Sequence, residues 1–543
     1  MIRKAFRRLL KLMWLLPGIV LWASYPPVGE RMDVLFALAP LMWLTRRGDA
    51  RRSALVWLCN GMLFWIGTLQ WMPAIVSNGG PWPLVLLGWG LLGGYCALYF
   101  GAYGWLAAKA WRWASHGGYW RRLAAILFAE PVLWAGLELV RSRLFGGFAW
   151  NHLGTPAAVA GFGAPASLGG IYLVSALVLL VNGTFASIAE RMVANILPPM
   201  RSAAKVPKFL RSAETLLPLA IVWLCFQCAS SAAVSRDARD SGDTGKTRRD
   251  ALTVALVQRN SPCVFKGRSE DPFSVYGNLL SNMSMLHPDL VVLAESATSE
   301  IGMSAQSPFV ERFASWIREI AASRGVLAGG VRIDGEGREY NSAVLYTAGG
   351  TEAYDKTHLV PFGEFIPGDK TFPSLQRYAP VGSCWPGKLK TLDFGGIPLG
   401  VAICFEDTDA AQVRQLARLG ARVLFFITND AWFSHSAEAE QHAWQSVARA
   451  IETGLPVVRV GNSGVTGTIA PDGKATWLRG PDGRVAVDRQ GVMVERLDVP
   501  ATSPTAYSIV GDAPLAVLFV LALAALVACE FYSFAATRRA KLW

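Results

Sequence analysis

The sequence lacks several features that would assign a function at once. Paired Cys-x-x-Cys motifs with flanking histidines are absent, which argues against a zinc site. The one such spacing, Cys225-Phe-Gln-Cys228, lies in an apolar segment, so we interpret it as incidental. Internal repeats and low-complexity tracts are also missing. Any chemistry must therefore come from side chains that are dispersed along the 543 residues.

Long charged stretches are scarce, although the formal net charge is +12. The basic residues cluster in short runs between apolar segments, which is typical of membrane topology signals and argues against nucleic-acid binding. Hydrophobic residues make up 52% of the chain, and 21 residues are tryptophan. This composition indicates a membrane protein with a soluble part. We expect no metal, organic cofactor or nucleic acid.

The apolar segments predict a bundle of about eight membrane helices. A basic start over residues 1–11 precedes an apolar run to about residue 25. Because no small-x-small cleavage pattern follows that run, we predict a retained first helix rather than a signal peptide. The other predicted spans lie at about 33–45, 53–76, 82–109, 122–140, 166–188, 215–235 and 513–536.

The connections between these segments predict the orientation of the chain. Basic connections at 45–52, 109–122 and 191–211 fall at every second loop. The positive-inside rule therefore places them, and both termini, on the cytoplasmic side. The predicted domains are a membrane domain 1–236, a linker 237–250, an α/β domain 251–500, a linker 501–512, a last helix 513–536 and a cytoplasmic tail 537–543.

The region between the linkers alternates short apolar runs with helical patterns, which predicts a layered α/β domain. Functional groups in such domains collect where strands end. The predicted strands lie at 253–257, 289–294, 325–331, 342–346, 397–403, 421–428 and 456–460, and the predicted helices near 307–323, 410–418 and 436–453.

Three predicted strand ends carry residues suited to acyl transfer. Cys404 lies between a strand and a helix, where backbone N–H groups can lower a thiol pKa and bind an oxyanion. Glu295 ends an apolar run, where desolvation raises a carboxyl pKa toward that of a useful base. Lys356 precedes a loop that contains Gly363 and Glu364. A carboxylate, an ammonium and a thiol together would form an acyl-transfer set.

Each of these residues also has a purely structural interpretation. Cys404 could be a small core residue, Glu295 a helix or turn cap, and Lys356 a solvated lysine. A Cys-His pair, with His358 or His442 as the base, is the competing catalytic arrangement. We favour the carboxylate over both histidines, because His442 falls in a predicted helix rather than at a strand end.

The order and context of the three residues resemble the Glu-Lys-Cys triad of the nitrilase superfamily. The string Tyr354-Asp-Lys-Thr-His-Leu-Val-Pro-Phe-Gly-Glu-Phe-Ile-Pro367 is similar to the most diagnostic motif of its membrane branch, the apolipoprotein N-acyltransferases. The resemblance covers nearly the whole chain and implies an αββα sandwich for the α/β domain. Further similar motifs are Ile403–Glu406, Thr428–Phe433, Gly461–Thr466 and Phe145–Trp150.

The resemblance implies a role for each matched residue. Glu295 would be the general base, Lys356 the stabiliser of the oxyanion, and Cys404 the acylated nucleophile. Glu364 would orient the lysine or relay protons. The residues implied to support these four are Phe405, through its backbone N–H, and Glu406, and those implied to line the substrate path are Trp432, Phe433, Trp150 and Arg449. For Arg449, an ion pair with Glu452 is an equal alternative.

Two positions depart from the family pattern, and one cysteine pair adds a redox hypothesis. Leu293-Ala294 stands where a Trp-Pro pair is usual, and Ser434 stands where glycine is usual. Both changes bear on loop shape and lipid preference rather than on the reaction class.

In an oxidising compartment Cys263 and Cys384 could form a disulfide, which would leave Cys404 as a free thiol.

The resemblance implies a multi-pass enzyme of the bacterial inner membrane with its catalytic domain on the periplasmic side. Such an enzyme moves a fatty acyl chain from a membrane glycerophospholipid to the N-terminal amine of a diacylglyceryl-cysteine apolipoprotein. We expect a monomer. Two other classes stay open, which are a membrane-tethered amidase or hydrolase with water as the acceptor and a non-catalytic lipoprotein-binding scaffold.

Overall fold

The chain divides into two compact units, which we call the membrane unit and the α/β unit. The membrane unit comprises Met1–Met72, Pro83–Ala232 and Val510–Trp543, and the α/β unit comprises Pro73–Trp82 and Ala233–Ile509. The computed structural model describes residues 13–115, 118–196, 208–242, 250–262, 272–281, 287–297, 308–368, 371–372, 374, 384–433, 435–501 and 504–540.

Helices make up the described part of the membrane unit. Among the described residues of the chain, five helices are long and apolar enough to cross a membrane. They match the last five predicted spans. The five are Trp82–Ser115, Tyr119–Arg141, Ala166–Val193, Ser212–Arg236 and Ala513–Tyr532. The shorter helices of this unit are Leu16–Ala23, Ala39–Thr45, Ala50–Thr68 and Thr155–Ala157.

The first three predicted spans differ from the prediction. Helix Leu16–Ala23 has 8 residues and helix Ala39–Thr45 has 7, whereas a crossing takes about 20. The first ends before Pro26-Pro27, since proline cannot donate a backbone hydrogen bond. The third begins at Ala50, just before Arg51 and Arg52, and ends at Thr68, eight residues before the predicted end at 76. The described helices therefore support five spans, and the total of eight stays a prediction.

Two buried ionic side chains fix the loop that follows helix Glu130–Arg141. The Arg141 guanidinium donates to the carbonyl oxygens of Phe148 and Trp150 at 2.7 and 2.8 Å. The Glu138 carboxylate accepts from the backbone N–H of Leu153 at 2.8 Å. Charged groups inside an apolar bundle persist when they are paired or hydrogen-bonded. This pair therefore determines where the aromatic residues of the loop lie within the membrane unit.

The α/β unit contains two six-stranded sheets. Their strand orders are β12-β1-β2-β3-β4-β5 and β11-β10-β9-β8-β7-β6. The strands are β1 (Asp250–Gln258), β2 (Leu290–Leu293), β3 (Gly325–Ile333), β4 (Glu339–Thr347), β5 (Gly350–Asp355), β6 (Thr391–Phe394), β7 (Ile397–Ile403), β8 (Val423–Thr428), β9 (Val457–Gly461), β10 (Gly467–Ile469), β11 (Ala475–Trp477) and β12 (Gly491–Val499). The helices are Ala74–Ser77, Pro272–Ser281, Pro308–Ala321, Ala410–Arg418, Glu438–Thr453 and Ala506–Val510, and helix Lys208–Gly242 enters the unit from the membrane unit.

Side chains of both sheets form one hydrophobic core. Along β1, Val254 and Leu256 enter a core that also contains Leu399 and Val401 of β7. The alternate residues Ala255 and Val257 of β1 contact a second cluster on the opposite face, which includes Phe313 of helix Pro308–Ala321. Residues two apart on a strand share a face, so both faces of this sheet are covered. Such burial explains why β1 is apolar without interruption over residues 254–257.

All seven predicted strands of this unit are confirmed as elements, and so are its three predicted helices. Five further strands, β5, β6 and β10–β12, and helices Pro272–Ser281 and Ala506–Val510 were not predicted. The predicted linker 237–250 also begins differently, because helix Lys208–Gly242 continues into it.

Candidate active site

Cys404 lies at a sharp turn between a strand and a helix. Strand β7 ends at Ile403, a 3₁₀ turn covers Cys404–Thr408, and helix Ala410–Arg418 follows. The backbone at Cys404 has φ 54°, a left-handed conformation that is rare for a residue with a side chain. The turn ends the strand abruptly and leaves the Cys404 side chain only partly buried. Strained positions of this kind concentrate at functional sites.

The Glu406 carboxylate connects this turn with the loop that follows β5. It is fully buried and accepts from the backbone N–H groups of Thr357 and His358 at 2.7 and 3.0 Å. It also accepts from the Tyr354 hydroxyl at 3.0 Å and from the backbone N–H of Ile403 at 2.8 Å. One side chain therefore links the residues after the predicted catalytic lysine to the strand before the predicted nucleophile.

Lys356 and two glutamates converge in a buried polar group. The Lys356 ammonium lies 2.8 Å from the Glu364 carboxylate and 3.8 Å from the Glu295 carboxylate. Asn341, on β4, donates its side-chain amide to both carboxylates at 2.7 Å. Lys356 is 1% exposed and Glu295 is 7% exposed, so these charges interact with little screening by water.

Burial and mutual charge set the protonation of these groups. Burial raises the pKa of Glu295, and Glu364 adds to the rise although Lys356 opposes it. Burial alone would lower the pKa of Lys356, but the carboxylates of Glu364 and Glu295 outweigh it and hold that pKa above its ordinary value. The lysine is therefore a permanent cation, and Glu295 is a stronger base than an exposed glutamate.

The Cys404 thiol differs from the prediction. Burial and the charge of Glu295 raise its pKa well above the ordinary value, although Lys356 lowers it. The predicted lowering of the thiol pKa is wrong, because desolvation of the thiolate outweighs the nearby ammonium and the turn. The sulfur therefore keeps its proton at rest and needs a base to become a nucleophile. The charges that act on the thiol pKa are those of Glu295, Lys356 and Glu364, together with that of Asp430 after β8, which supports the predicted triad.

A glycine on β3 allows the close approach of the Glu295 segment. A side-chain carbon at Gly329 would lie 2.6 Å from the Cα of Glu295, closer than real contacts allow. The Gly329 backbone N–H also donates to the carbonyl of Ala294 at 3.2 Å. The segment Leu293-Ala294, where the sequence departs from the family pattern, is buried against this neighbour. Glu295 is therefore positioned by backbone contact as well as by its side chain.

The predicted path residues Trp432 and Phe433 lie on a second 3₁₀ turn, Asp430–Phe433, which follows β8. Both side chains are partly exposed. Asn78 donates its side-chain amide to the carbonyls of Ala431 and Trp432 at 3.3 and 2.6 Å and is 2% exposed. Asn78, which lies between two predicted membrane spans, therefore belongs to the α/β unit and stabilises this turn by hydrogen bonds.

The other predicted residues are placed as follows. Arg449 is buried and forms a two-point ion pair with Glu452 at 2.6 and 2.8 Å, and it donates to the carbonyl of Thr408 at 2.7 Å. These contacts favour the ion-pair alternative over a substrate contact. Phe405 is partly exposed and its ring contacts the His358 ring. Trp150 is buried in the membrane unit, where its carbonyl accepts from Arg141.

The redox hypothesis and one family departure fall partly outside the described residues. Cys263 and Ser434 lie outside them. Cys384 forms no disulfide with another described cysteine, and its backbone N–H donates to the Glu364 carbonyl at 2.9 Å. Burial and the Glu364 charge raise the pKa of Cys384 to about 11. The predicted disulfide therefore stays a prediction.

The alternative histidine bases are placed differently from each other. His442 is buried, with its ring nitrogens 2.9 Å from Asp407 and 3.1 Å from Asp430. Neither nitrogen is left to take a proton from a thiol. His358 contributes its backbone N–H to Glu406. These contacts favour Glu295 as the base.

Sequence reasoning missed Asn341, Gly329 and Asn78. Asn341 and Gly329 lie inside strands, and Asn78 lies in a stretch interpreted as a membrane loop. Each of these residues contacts a segment that is distant along the chain. The only local indication of such a contact is a polar or glycine residue that interrupts an apolar pattern.

Comparisons with known proteins cover both units. Residues 17–184 match the family model of the apolipoprotein N-acyltransferase N-terminal domain, and residues 253–499 match that of carbon-nitrogen hydrolase. Among solved structures, an amidase from Nesterenkonia sp. is similar at 19% identity and a TM-score of 0.37, covering 49% of this chain and 96% of that chain.

Curated relatives match most of the chain. An apolipoprotein N-acyltransferase from Geobacter metallireducens is 30% identical over 470 residues, which is 84% of each chain. One from Photobacterium profundum is 26% identical over 536 residues, covering 95% of this chain and 94% of that protein. Because both units match and the relatives align across both, the chain belongs to the apolipoprotein N-acyltransferase family.

Proposed function

We propose that the protein moves a fatty acyl chain from a membrane glycerophospholipid to the N-terminal amine of a diacylglyceryl-cysteine apolipoprotein, through a thioester on Cys404. The observation that carries the proposal is the buried Lys356 ammonium, held by Glu295 and Glu364 on a loop that Glu406 ties to the Cys404 turn. These contacts support a site in which Glu295 is the base, Lys356 the fixed cation and Cys404 the nucleophile.

In the first step Cys404 attacks the ester carbonyl of the phospholipid while Glu295 takes the thiol proton. The negative charge that forms on the carbonyl oxygen is stabilised by the Lys356 ammonium and by the backbone N–H of Phe405. The carbon–oxygen bond of the ester then breaks, and Glu295 returns the proton to the leaving oxygen. A lysophospholipid is released, and the acyl chain stays on sulfur.

In the second step the lipoprotein amine attacks the thioester. Glu295 takes a proton from the attacking nitrogen, the carbon–sulfur bond breaks, and the proton passes to sulfur, which restores the thiol. A thioester is more reactive toward an amine than the ester from which it came, so dividing the transfer lowers each barrier. Glu364 and Asn341 keep Lys356 and Glu295 in position during both steps.

The proposal includes the placement of the chain in the bacterial inner membrane. The chain crosses about eight times, both termini are cytoplasmic, and an αββα-type catalytic domain over residues 251–500 faces the periplasm. The protein acts as a monomer. The basic connections at 45–52, 109–122 and 191–211 support this orientation. Trp432 and Phe433 are the proposed acyl-path residues of the α/β unit, and Trp150 is a separate candidate in the membrane unit.

The direct test is to incubate the purified protein with phospholipid vesicles and measure the mass of the Cys404 peptide. We expect an added acyl mass on that peptide, and its loss on addition of a diacylglyceryl peptide, which should gain the acyl chain as an amide. Cys404→Ala is the control. An adduct that persists in Cys404→Ala contradicts the proposal, and release of free fatty acid without acylated peptide identifies a hydrolase instead.

The pH dependence tests the role of Glu295. Only the carboxylate can accept a proton, so activity rises as Glu295 ionises. Because its pKa is raised, the acidic limb of the kcat/KM profile should lie above the ordinary glutamate value of 4.5. Glu295→Gln should remove the limb together with nearly all activity, and a limb at or below 4.5 contradicts the assignment.

A further inference from the structure

A buried charge cluster lies behind the Cys404 turn, and the proposed mechanism does not use it. His442, on helix Glu438–Thr453, is 1% exposed and lies between two carboxylates. Its Nε2 is 2.9 Å from Asp407 Oδ1, and its Nδ1 is 3.1 Å from Asp430 Oδ1. Asp407 belongs to the turn that carries Cys404, and Asp430 begins the turn that carries Trp432 and Phe433. One imidazole ring therefore connects both turns of the site.

The remaining charged groups around the ring come from its own helix and from β9. Arg459 donates to Asp407 at 2.5 Å, and its other terminal nitrogen lies 3.6 Å from Asp430. Glu438 lies 3.5 Å from His442 Nδ1. Ser446 donates to Asp407 at 2.7 Å. The ring is thus enclosed by groups from three helical segments and one strand.

The charges in this cluster balance. Burial would raise the pKa of Asp407 and of Asp430, but His442 and Arg459 outweigh it and hold both pKa values low. Burial would lower the pKa of His442, but the two carboxylates raise it to about 10. Burial and Asp430 raise the pKa of Glu438 well above its ordinary value, so that carboxyl is neutral. Two anions therefore face two cations.

The cluster also acts on the sulfur. The Asp430 charge is among those that raise the pKa of the Cys404 thiol. A change in the net charge of the cluster should therefore change the pKa of the Cys404 thiol. Loss of the imidazolium would leave negative charge in excess beside the sulfur, and loss of Asp430 would leave positive charge in excess.

We propose that His442 is a positioning residue for acyl transfer, whose imidazolium joins the Cys404 turn to the Trp432 turn and compensates the negative charge beside the sulfur. The proposal rests on the proposed function for its catalytic meaning, since it assumes that Cys404 is the nucleophile. His442 does not exchange a proton with the substrate. It sets the geometry of two turns and the electrostatic environment of the group that reacts.

The test measures how fast iodoacetamide alkylates Cys404, by peptide mass spectrometry on the full-length protein in detergent. We expect His442→Gln to slow alkylation at pH 8 about tenfold, which is a rise of one unit in the thiol pKa, and Asp430→Asn to accelerate it. His287→Gln, at an exposed histidine, should change nothing. A purely structural role would slow alkylation or leave it unchanged in both variants, so the opposite directions identify the charge effect.

Activity gives the second readout. His442→Gln should lower kcat at least tenfold with little change in KM, because the reacting group is affected and not substrate binding. Equal alkylation rates in His442→Gln, Asp430→Asn and His287→Gln overturn the proposal. If His442→Gln fails to fold, Asp430→Asn alone decides, since a rate that does not rise overturns it. Alkylation is read without acyl transfer, so these results stand apart from any failure of the proposed function.

Discussion

At the scale of single residues, Cys404 occupies a backbone conformation that few side chains adopt. A left-handed residue other than glycine costs about 1–2 kcal/mol, so the surroundings must hold it. The Glu406 carboxylate does so through the backbone N–H of Ile403, one residue before the turn. Hydrogen bonds to the buried Glu406 carboxylate therefore offset the conformational cost of the left-handed backbone at Cys404.

Glu406→Gln should destabilise the α/β unit. The carboxylate accepts from Thr357, His358, Tyr354 and Ile403, and an amide would direct its N–H group at one of these donors. Loss of charged hydrogen bonds in a buried site should cost about 3 kcal/mol. We expect a lower Tm and a lower kcat in thermal-unfolding and activity assays.

Glu336→Gln is the matched control for this change, because its side chain is 72% exposed. It should leave both Tm and kcat at the level of the unmodified protein. Equal Tm values for the two variants would contradict the role of Glu406 as the link between the Cys404 turn and the loop that follows β5.

Asn341→Asp should shift the acidic limb of the pH profile. A third carboxylate beside Glu295 and Glu364 would raise the pKa of the base further and replace the amide that donates to both. We expect the limb of kcat/KM to move up by about one pH unit. Asn278→Asp, at an exposed position, should leave the limb in place. A profile that does not move in Asn341→Asp would show that the amide does not tune the base.

Glu295 and Cys404 could be proposed as candidates because each follows an apolar run that forms a strand, whereas Lys356 follows the polar edge strand β5 and was proposed from the loop after it, which contains Gly363 and Glu364. Asn341 could not be proposed, since it lies inside β4 and its partners come from segments 46 and 23 residues away. The local sequence holds no signal for such a contact. The predicted thiol pKa was wrong for a similar reason, because the degree of desolvation depends on distant chain segments.

At the scale of elements, the strands that escaped prediction are mostly those at sheet edges. Strands β5, β6, β11 and β12 each lie at the edge of a sheet, where one side faces no neighbouring strand. Edge strands are short or polar, so they lack the apolar run that marks a central strand. The sequence Gly350-Thr-Glu-Ala-Tyr-Asp355 of β5 illustrates this. Central strands such as β8, which is buried throughout, were predicted with nearly correct bounds.

The segment Pro73–Trp82 shows another limit of prediction by periodicity. Its first residues continue an apolar stretch and were included in a membrane span, but the segment belongs to the α/β unit. The decisive contact is made by Asn78 with the turn Asp430–Phe433, more than 350 residues along the chain.

Asn78→Ala should loosen the turn that carries the proposed acyl-path residues. Two backbone carbonyls would lose their donor, while Cys404 lies on a different turn. We expect KM for phospholipid to rise several-fold, with the Cys404 alkylation rate within twofold of the unmodified protein. Ser77→Ala, at the exposed neighbouring residue, is the control. Kinetics of Asn78→Ala equal to those of Ser77→Ala would contradict this role.

At the scale of the whole molecule, length and hydropathy predicted the five clear spans. Length and hydropathy could not decide whether the first three apolar stretches cross the membrane. Helices Leu16–Ala23 and Ala39–Thr45 are shorter than their apolar runs because proline and glycine interrupt the backbone nearby. Hydropathy reports the preference of side chains for lipid, but helix length also depends on backbone hydrogen bonding.

The proposed orientation can be tested by labelling with a membrane-impermeant maleimide. Glu336→Cys, on the exposed β3–β4 connection, should react in intact spheroplasts. Arg51→Cys, in a basic connection, should react only after the membrane is opened. Peptide mass spectrometry separates both sites from the native cysteines. Labelling of position 51 but not 336 in intact spheroplasts would reverse the proposed orientation.

The raised pKa of the Cys404 thiol has a consequence for the lifetime of the protein. The thiolate is the form that attacks peroxides and disulfides, so a sulfur that keeps its proton between turnovers reacts slowly with both. In the proposed periplasmic orientation the sulfur lies away from the reducing systems of the cytoplasm, where such resistance would matter. Burial that slows the first proton transfer would then also preserve the sulfur from irreversible damage.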